Sequence, residues 1–84
     1  MDICRGSLVY SRAGRDKGGL FLVLSAEKNY AFIANGETRS VSKPKKKNIK
    51  HLNKTNTVLE LDFENISDSA VRKVLKNKTE FVGR

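Results

Sequence analysis

Lys43, Lys45, Lys46, Lys47 and Lys50, with Arg39 just ahead of them, place six cationic side chains within twelve residues. Like charges this dense repel one another unless a polyanion neutralises them, so this run is the strongest chemical signal in the chain. A second cluster, Arg12, Arg15 and Lys17, is interspersed with Gly14 and Gly18, whose missing side chains let backbone approach a ligand closely. Asp16 stands among them, placed to orient Arg15. His51, next to Lys50, can stack on a base or donate to a phosphate, although a lone histidine lacks the partners that metal or acid–base duty requires.

Each cluster also has a plainer reading. The 12–17 segment can be a solvated turn whose charges confer only solubility. The lysine run can be a disordered basic tail or a localisation-like patch. His51 can be structural or incidental. The strand-like segments that flank the lysines argue against a tail.

The whole chain is biased the same way. It has 84 residues with 17 Lys+Arg against 9 Asp+Glu, a formal net charge of +8. Residues 35–54 carry seven basic groups and one acidic, against five and three before them and five of each after, so the excess sits in the middle. Such a density favours polyanions through long-range attraction and counterion release.

Catalysis finds no support. There is no Ser/His/Asp set, no Cys/His arrangement and no P-loop, and the carboxylates are scattered, so no enzyme, cofactor or metal is expected. Cys4 is the single cysteine, which excludes an internal disulfide and fits a reducing compartment. No apolar run approaches the roughly 20 residues of a membrane span, and Met1-Asp2-Ile3-Cys4-Arg5 has no signal-peptide core, so the expected location is the cytoplasm.

The elements that must position the two clusters can be read in turn. Gly6-Ser-Leu-Val-Tyr-Ser11 is β-branched and alternating, and the glycine-rich stretch from Ala13 to Gly19 is turn chemistry, so a hairpin begins here. Leu20–Leu24 is continuously apolar, the pattern of a strand covered on both faces. Tyr30–Ala34 is a third strand, and Asn35-Gly36 signals a tight hairpin in which both residues take positive φ, returning as a fourth strand over Thr38–Val41. Ser42–Lys47, with the only proline, reads as an exposed loop, and Ile49 and Leu52 anchor a short fifth strand.

Further on, Leu59–Phe63 alternates apolar and acidic residues, a pattern that fits one more strand or an extended loop. Ser67 is a good N-cap, Ile66 and Val71 are spaced as a hydrophobic staple, and Ala70, Val71, Val74 and Leu75 recur at helical spacing, which predicts a helix over 68–77. The aromatic residues Tyr10, Phe21, Tyr30, Phe32, Phe63 and Phe81 are expected mostly in the core, with Tyr30 the best candidate for an exception. The fold class is therefore mainly β: a barrel or roll of about five strands with one C-terminal α-helix packed across it. An organisation follows in which residues 1–54 form the barrel and 55–84 an extension of the same domain.

The segment Arg5-Gly-Ser-Leu-Val-Tyr-Ser-Arg-Ala-Gly-Arg-Asp-Lys-Gly18, followed by an apolar strand, resembles the KOW motif of ribosomal proteins and NusG-type transcription factors. Its continuation through Asn35-Gly36-Glu37-Thr38-Arg39 and Lys43–Leu52 is similar to small bacterial KOW proteins related to a large-subunit ribosomal protein of archaea and eukaryotes. The resemblance covers roughly residues 4–54. It implies an SH3-like barrel that binds RNA through its loops, with Gly18 at the position that the motif reserves for glycine. Gly19 and Leu20 depart from the basic or polar residues usual there, which leaves the first loop less charged than in many relatives.

Together these observations lead to the expectation of an RNA-binding protein, with structured ribosomal RNA of the large subunit as the partner that the resemblance implies. The contacts would come from Arg12, Arg15, Lys17, Arg39, Lys43, Lys45, Lys46, Lys47, Lys50 and His51, with Gly14 and Gly18 shaping the loop and the free protein a monomer. The alternative is a protein-binding KOW module of a transcription or translation factor, docking through the barrel or through the helix around Val71 and Val74. Attachment to an anionic membrane surface would need a second signal, a lipid or an apolar wedge, that the sequence lacks. The RNA reading requires residues 12–17 and 43–50 to lie on one side of the molecule.

Overall fold

The computed structural model describes residues 3–82 and the side chains through residue 77. Met1 and Asp2, and the side chain of Phe81, lie outside the described residues. Five strands, β1 (Ser7–Ser11), β2 (Leu20–Ala26), β3 (Tyr30–Ala34), β4 (Lys45–Asn48) and β5 (Leu52–Val58), form one antiparallel sheet in the order β4-β3-β2-β1-β5. A helix, α1 (Asp68–Val82), follows. The chain is thus mainly β with one C-terminal helix, as its patterning predicts.

Two irregularities curl the sheet into a small barrel-like shape. Pairing steps from Val23↔Ile33 to Ser25↔Phe32, which leaves Leu24 as an extra residue on β2, and a second register shift separates Ser7 from Val9 where β1 meets β5. Bulges of this kind bend a strand and increase its twist. At the far side, a single 3₁₀ turn (Ile49–His51) carries the chain directly from β4, one edge of the sheet, to β5, the other.

Curling splits the apolar residues into two layers. Inside the curl, Val9, Phe21, Val23, Ala31, Ile33 and Leu52 pack together. On the outer face, Leu8 and Leu22 are buried against Val71 and Leu75 of α1, with Leu20, Leu24, Leu59, Leu61, Phe63 and Ile66 around them. The unbroken apolar run of β2 follows from this, because both of its faces are covered.

The helix begins where its cap predicts. The Ser67 hydroxyl accepts from the Ala70 amide at 3.1 Å, and Ile66 joins the same cluster as Val71, so staple and cap act together. It runs to Val82, past the expected end at 77. Val71 is wholly buried against the sheet, whereas Val74 is half-buried.

Three expected elements differ. The fourth strand is not Thr38–Val41 but Lys45–Asn48, within what read as an exposed lysine loop. No described residue other than glycine has positive φ, so Asn35-Gly36 is not the two-residue hairpin turn. Instead the Asn35 carboxamide oxygen accepts from the amides of Glu37 and Arg39, both at 2.9 Å, and closes a local loop. The Val41 amide, which a strand would use, donates to the Asp68 carboxylate of α1 at 2.8 Å.

The fifth strand starts at Leu52 and continues to Val58, beyond the expected barrel boundary at 54, and Ile49 lies in the turn before it. Leu59–Phe63 forms no strand; its alternate residues Leu59, Leu61 and Phe63 still turn towards the helix-side cluster. Phe63 is capped from outside by the Arg5 guanidinium, 5.0 Å above its ring.

Candidate nucleic-acid interface

Strand pairing decides the direction of each lysine in the run. Lys45 pairs with Ile33, Lys46 with Phe32 and Lys47 with Ala31, and directly paired residues share a face of the sheet. Ile33 and Ala31 belong to the inner core, so Lys45 and Lys47 lie on the inner side, while Lys46 lies on the outer side with Phe32 and Tyr30. Long aliphatic stems make lysine suited to this place, since they can cover core atoms while the ammonium leaves at the end.

Lys47 is buried, at 8% exposure. Its ammonium crosses to the first loop, donates to the Ala13 carbonyl at 2.8 Å and lies 3.9 Å from the Asp16 carboxylate. Arg39 reaches the same carboxylate from the loop after β3, its Nε and Nη2 donating to the two oxygens at 3.2 and 3.1 Å. Asp16, its side chain 8% exposed, is thereby held by Arg39 and Lys47 and does not orient Arg15. The geometry with Arg39 is the two-pronged one that guanidinium and carboxylate favour.

This knot joins the two basic segments. The 12–17 loop, which includes a 3₁₀ turn at Gly14–Asp16, is further tied to the turn between β4 and β5 because the Arg12 amide donates to the His51 carbonyl at 2.7 Å. Gly14 sits against the Lys47 ammonium, where an added Cβ would lie 3.2 Å from Nζ. Gly18, by contrast, has φ +86° and open space beyond it. Residues 12–17 and the strand bearing the lysines therefore stand side by side.

Around the knot, Arg12, Arg15, Lys17, Lys43, Lys46, Lys50 and the side chain of His51 are exposed, and Lys45 is half-buried. Arg15, Lys17 and Arg39 line a shallow cleft of about 480 Å³ floored by Gly19 and Phe21. Two of the ten expected contact residues, Arg39 and Lys47, are thus mainly structural, and the other eight remain available at the surface. The knot was not legible in the sequence, because its three members are separated by 23 and 31 residues along the chain.

Among the described aromatic residues Tyr30 is the exception, exposed at 40% beside the lysine strand, with the Lys46 ammonium 4.4 Å from its ring centre. Among the described residues no group of three or more His, Cys, Asp or Glu side chains could hold a metal ion, and no helix is long and apolar enough to cross a membrane. In comparisons with known proteins the chain matches no family model, and no curated protein is significantly similar to it.

Proposed function

We propose that the protein is a non-catalytic RNA-binding module of the KOW type, working in the cytoplasm on structured RNA, with large-subunit ribosomal RNA favoured by the resemblance of residues 4–54. The single observation that carries this reading is the Asp16–Arg39–Lys47 knot: by neutralising one carboxylate internally it draws two basic segments together and leaves their remaining cations outward. A merely soluble surface has no need to hold like charges adjacent at this cost.

The contacts assigned to phosphates are Arg12, Arg15, Lys17, Lys43, Lys46 and Lys50, all exposed. Lys45 and His51 stand at the rim, and Tyr30 offers a ring on which a base can stack. Recognition of this kind reads the shape and backbone of a folded RNA more than its base sequence.

A salt titration tests it. Neutralising six phosphates gives a slope of log affinity against log salt of roughly −0.7 to −0.9 per contact, so about −4 to −5 in all. Measured on purified ribosomal RNA, a slope near zero would sink the proposal. Charge reversal at Lys45 and Lys46 separates it from the protein-binding alternative, which survives that change.

A further inference from the structure

The cleft beside the first loop is not isolated. Asn35, which lines it, also lines a second and larger cleft of about 820 Å³ on the helix side, walled by Arg72, Lys73 and Lys76 over a floor of Leu20 and Leu75. The two clefts adjoin at Asn35 and make up a two-part trough, with Lys17 lining one part and α1 the other. Glu37 is the one acidic residue of the second cleft, and Asp16, the one acid of the first, is committed to Arg39 and Lys47.

The wall shared by loop and helix is built to be close. Gly36 takes φ +79°, and a Cβ there would lie 2.5 Å from the Asp68 carbonyl and 2.8 Å from the Arg72 Cγ, so only glycine lets the helix approach this far. Arg72 then donates to the Gly36 carbonyl at 2.6 Å and to the Ser69 hydroxyl at 3.1 Å, which fixes the guanidinium in the wall of the second cleft, where α1 meets the loop after β3.

Lys73 and Lys76 have no such employment. Both are exposed, neither makes an ion pair with a described residue, and the helical neighbours of Lys73 at positions 69, 70, 76 and 77 are Ser, Ala, Lys and Asn. Arg72 and Lys76, four apart on one helix, repel each other. A solubility role would be better served by interspersed carboxylates, whereas cations on an apolar floor suit a phosphodiester strand whose ribose or base rests on Leu20 and Leu75.

Resting on the RNA-binding reading above, we infer that a single-stranded segment of the bound RNA continues along this trough from the first loop onto α1, its phosphates held by Lys73 and Lys76 beside Arg72. A cleft of this volume has room for small-ligand-sized groups such as one or two nucleotides, and not for a duplex.

The test uses the full chain and two fluorescein-labelled RNA probes, a stem-loop and the same stem-loop carrying a single-stranded tail, in fluorescence anisotropy at several salt concentrations. The tail should tighten binding to the unaltered protein, and Lys73→Ala with Lys76→Ala should abolish that increment and flatten the tailed probe's salt slope by about 1.4, two single-strand contacts' worth. Lys73→Arg with Lys76→Arg should restore it. Arg15→Ala with Lys17→Ala should weaken both probes. If the tail gives no increment, or the increment survives loss of Lys73 and Lys76 while Arg15 and Lys17 still matter, the trough carries no RNA and the barrel-loop reading stands without it. If neither probe binds with a salt-dependent affinity, the RNA-binding reading itself fails. Lys73 and Lys76 are exposed, so circular dichroism of the variants should match that of the unaltered chain.

Discussion

Lys46 and Lys47 are neighbours with the same side chain, yet one faces solvent over Tyr30 and the other is buried against Ala13 and Asp16. The same division runs through the whole basic region. Its inner side, Asp16, Arg39 and Lys47, is a charged joint that holds two loops and an edge strand together. Its outer side, Arg12, Arg15, Lys17, Lys43, Lys46 and Lys50, has charge and little to hold it in place. Charge count treats these residues alike, whereas strand parity and one well-placed carboxylate separate the paired, buried cations from the exposed ones.

The largest expected effect would break the inner side. Asp16→Ala leaves Lys47 buried with only a carbonyl partner and releases Arg39, which should cost about 3 kcal/mol. In thermal unfolding this is a fall on the order of 15 °C for a domain of this size. A fall of only a degree or two would mean that the joint is ornamental.

Next comes the outer side. Replacing Lys43, Lys46 and Lys50 together by Glu should weaken RNA binding by at least about 100-fold, close to 3 kcal/mol. The unfolding temperature should scarcely move, since exposed charges contribute little to stability. A large loss of stability here would erase the distinction between the two sides.

Lys47→Met sharpens the comparison further, because it keeps the buried stem and removes the ammonium. Asp16 retains its two hydrogen bonds from Arg39, so the loss should be about 1 to 2 kcal/mol in denaturant unfolding. RNA affinity at a temperature where the variant is folded should be nearly unchanged. A drop in affinity comparable to that of an exposed lysine would reassign Lys47 to the binding surface.

The smallest effect concerns Tyr30. Tyr30→Leu removes the ring under Lys46 and should cost about 0.5 kcal/mol of stability, the scale of an exposed cation–π pair. Loss of base stacking should cost about 1 kcal/mol or more in RNA affinity. An RNA affinity unchanged by the substitution would leave the ring with a packing role alone.

The first half of the fold was legible because it is written in apolar residues. β1, β2 and β3 fall within a residue or two of the alternating and continuous runs that predict them, and Ser67 with Ile66 marks the start of α1. β4 and β5 read poorly for one physical reason: as the two edges of the sheet they carry Lys, Asn and Thr, which local propensity assigns to loops. What makes them strands is the unpaired backbone of β3 and β1 beside them, a tertiary demand invisible in a local window.

The site was legible as composition and not as arrangement. Eight of the ten expected contact residues lie at the surface and two join the loops, but that split depends on the parity of a strand whose local composition predicts a loop. Asn35-Gly36 shows the same limit. Its turn chemistry was visible, whereas the helix that needs Gly36 bare arrives more than thirty residues later.

The two-layered packing of β2 has a practical corollary for anyone seeking a smaller working unit. Trimming the chain after β5 would strip the lid from Leu8, Leu20, Leu22 and Leu24, baring a greasy patch across the middle of the sheet. Such a fragment would keep every strand and most of the surface cations, and it would still clump, because charges elsewhere on the surface do not cover a bared apolar patch.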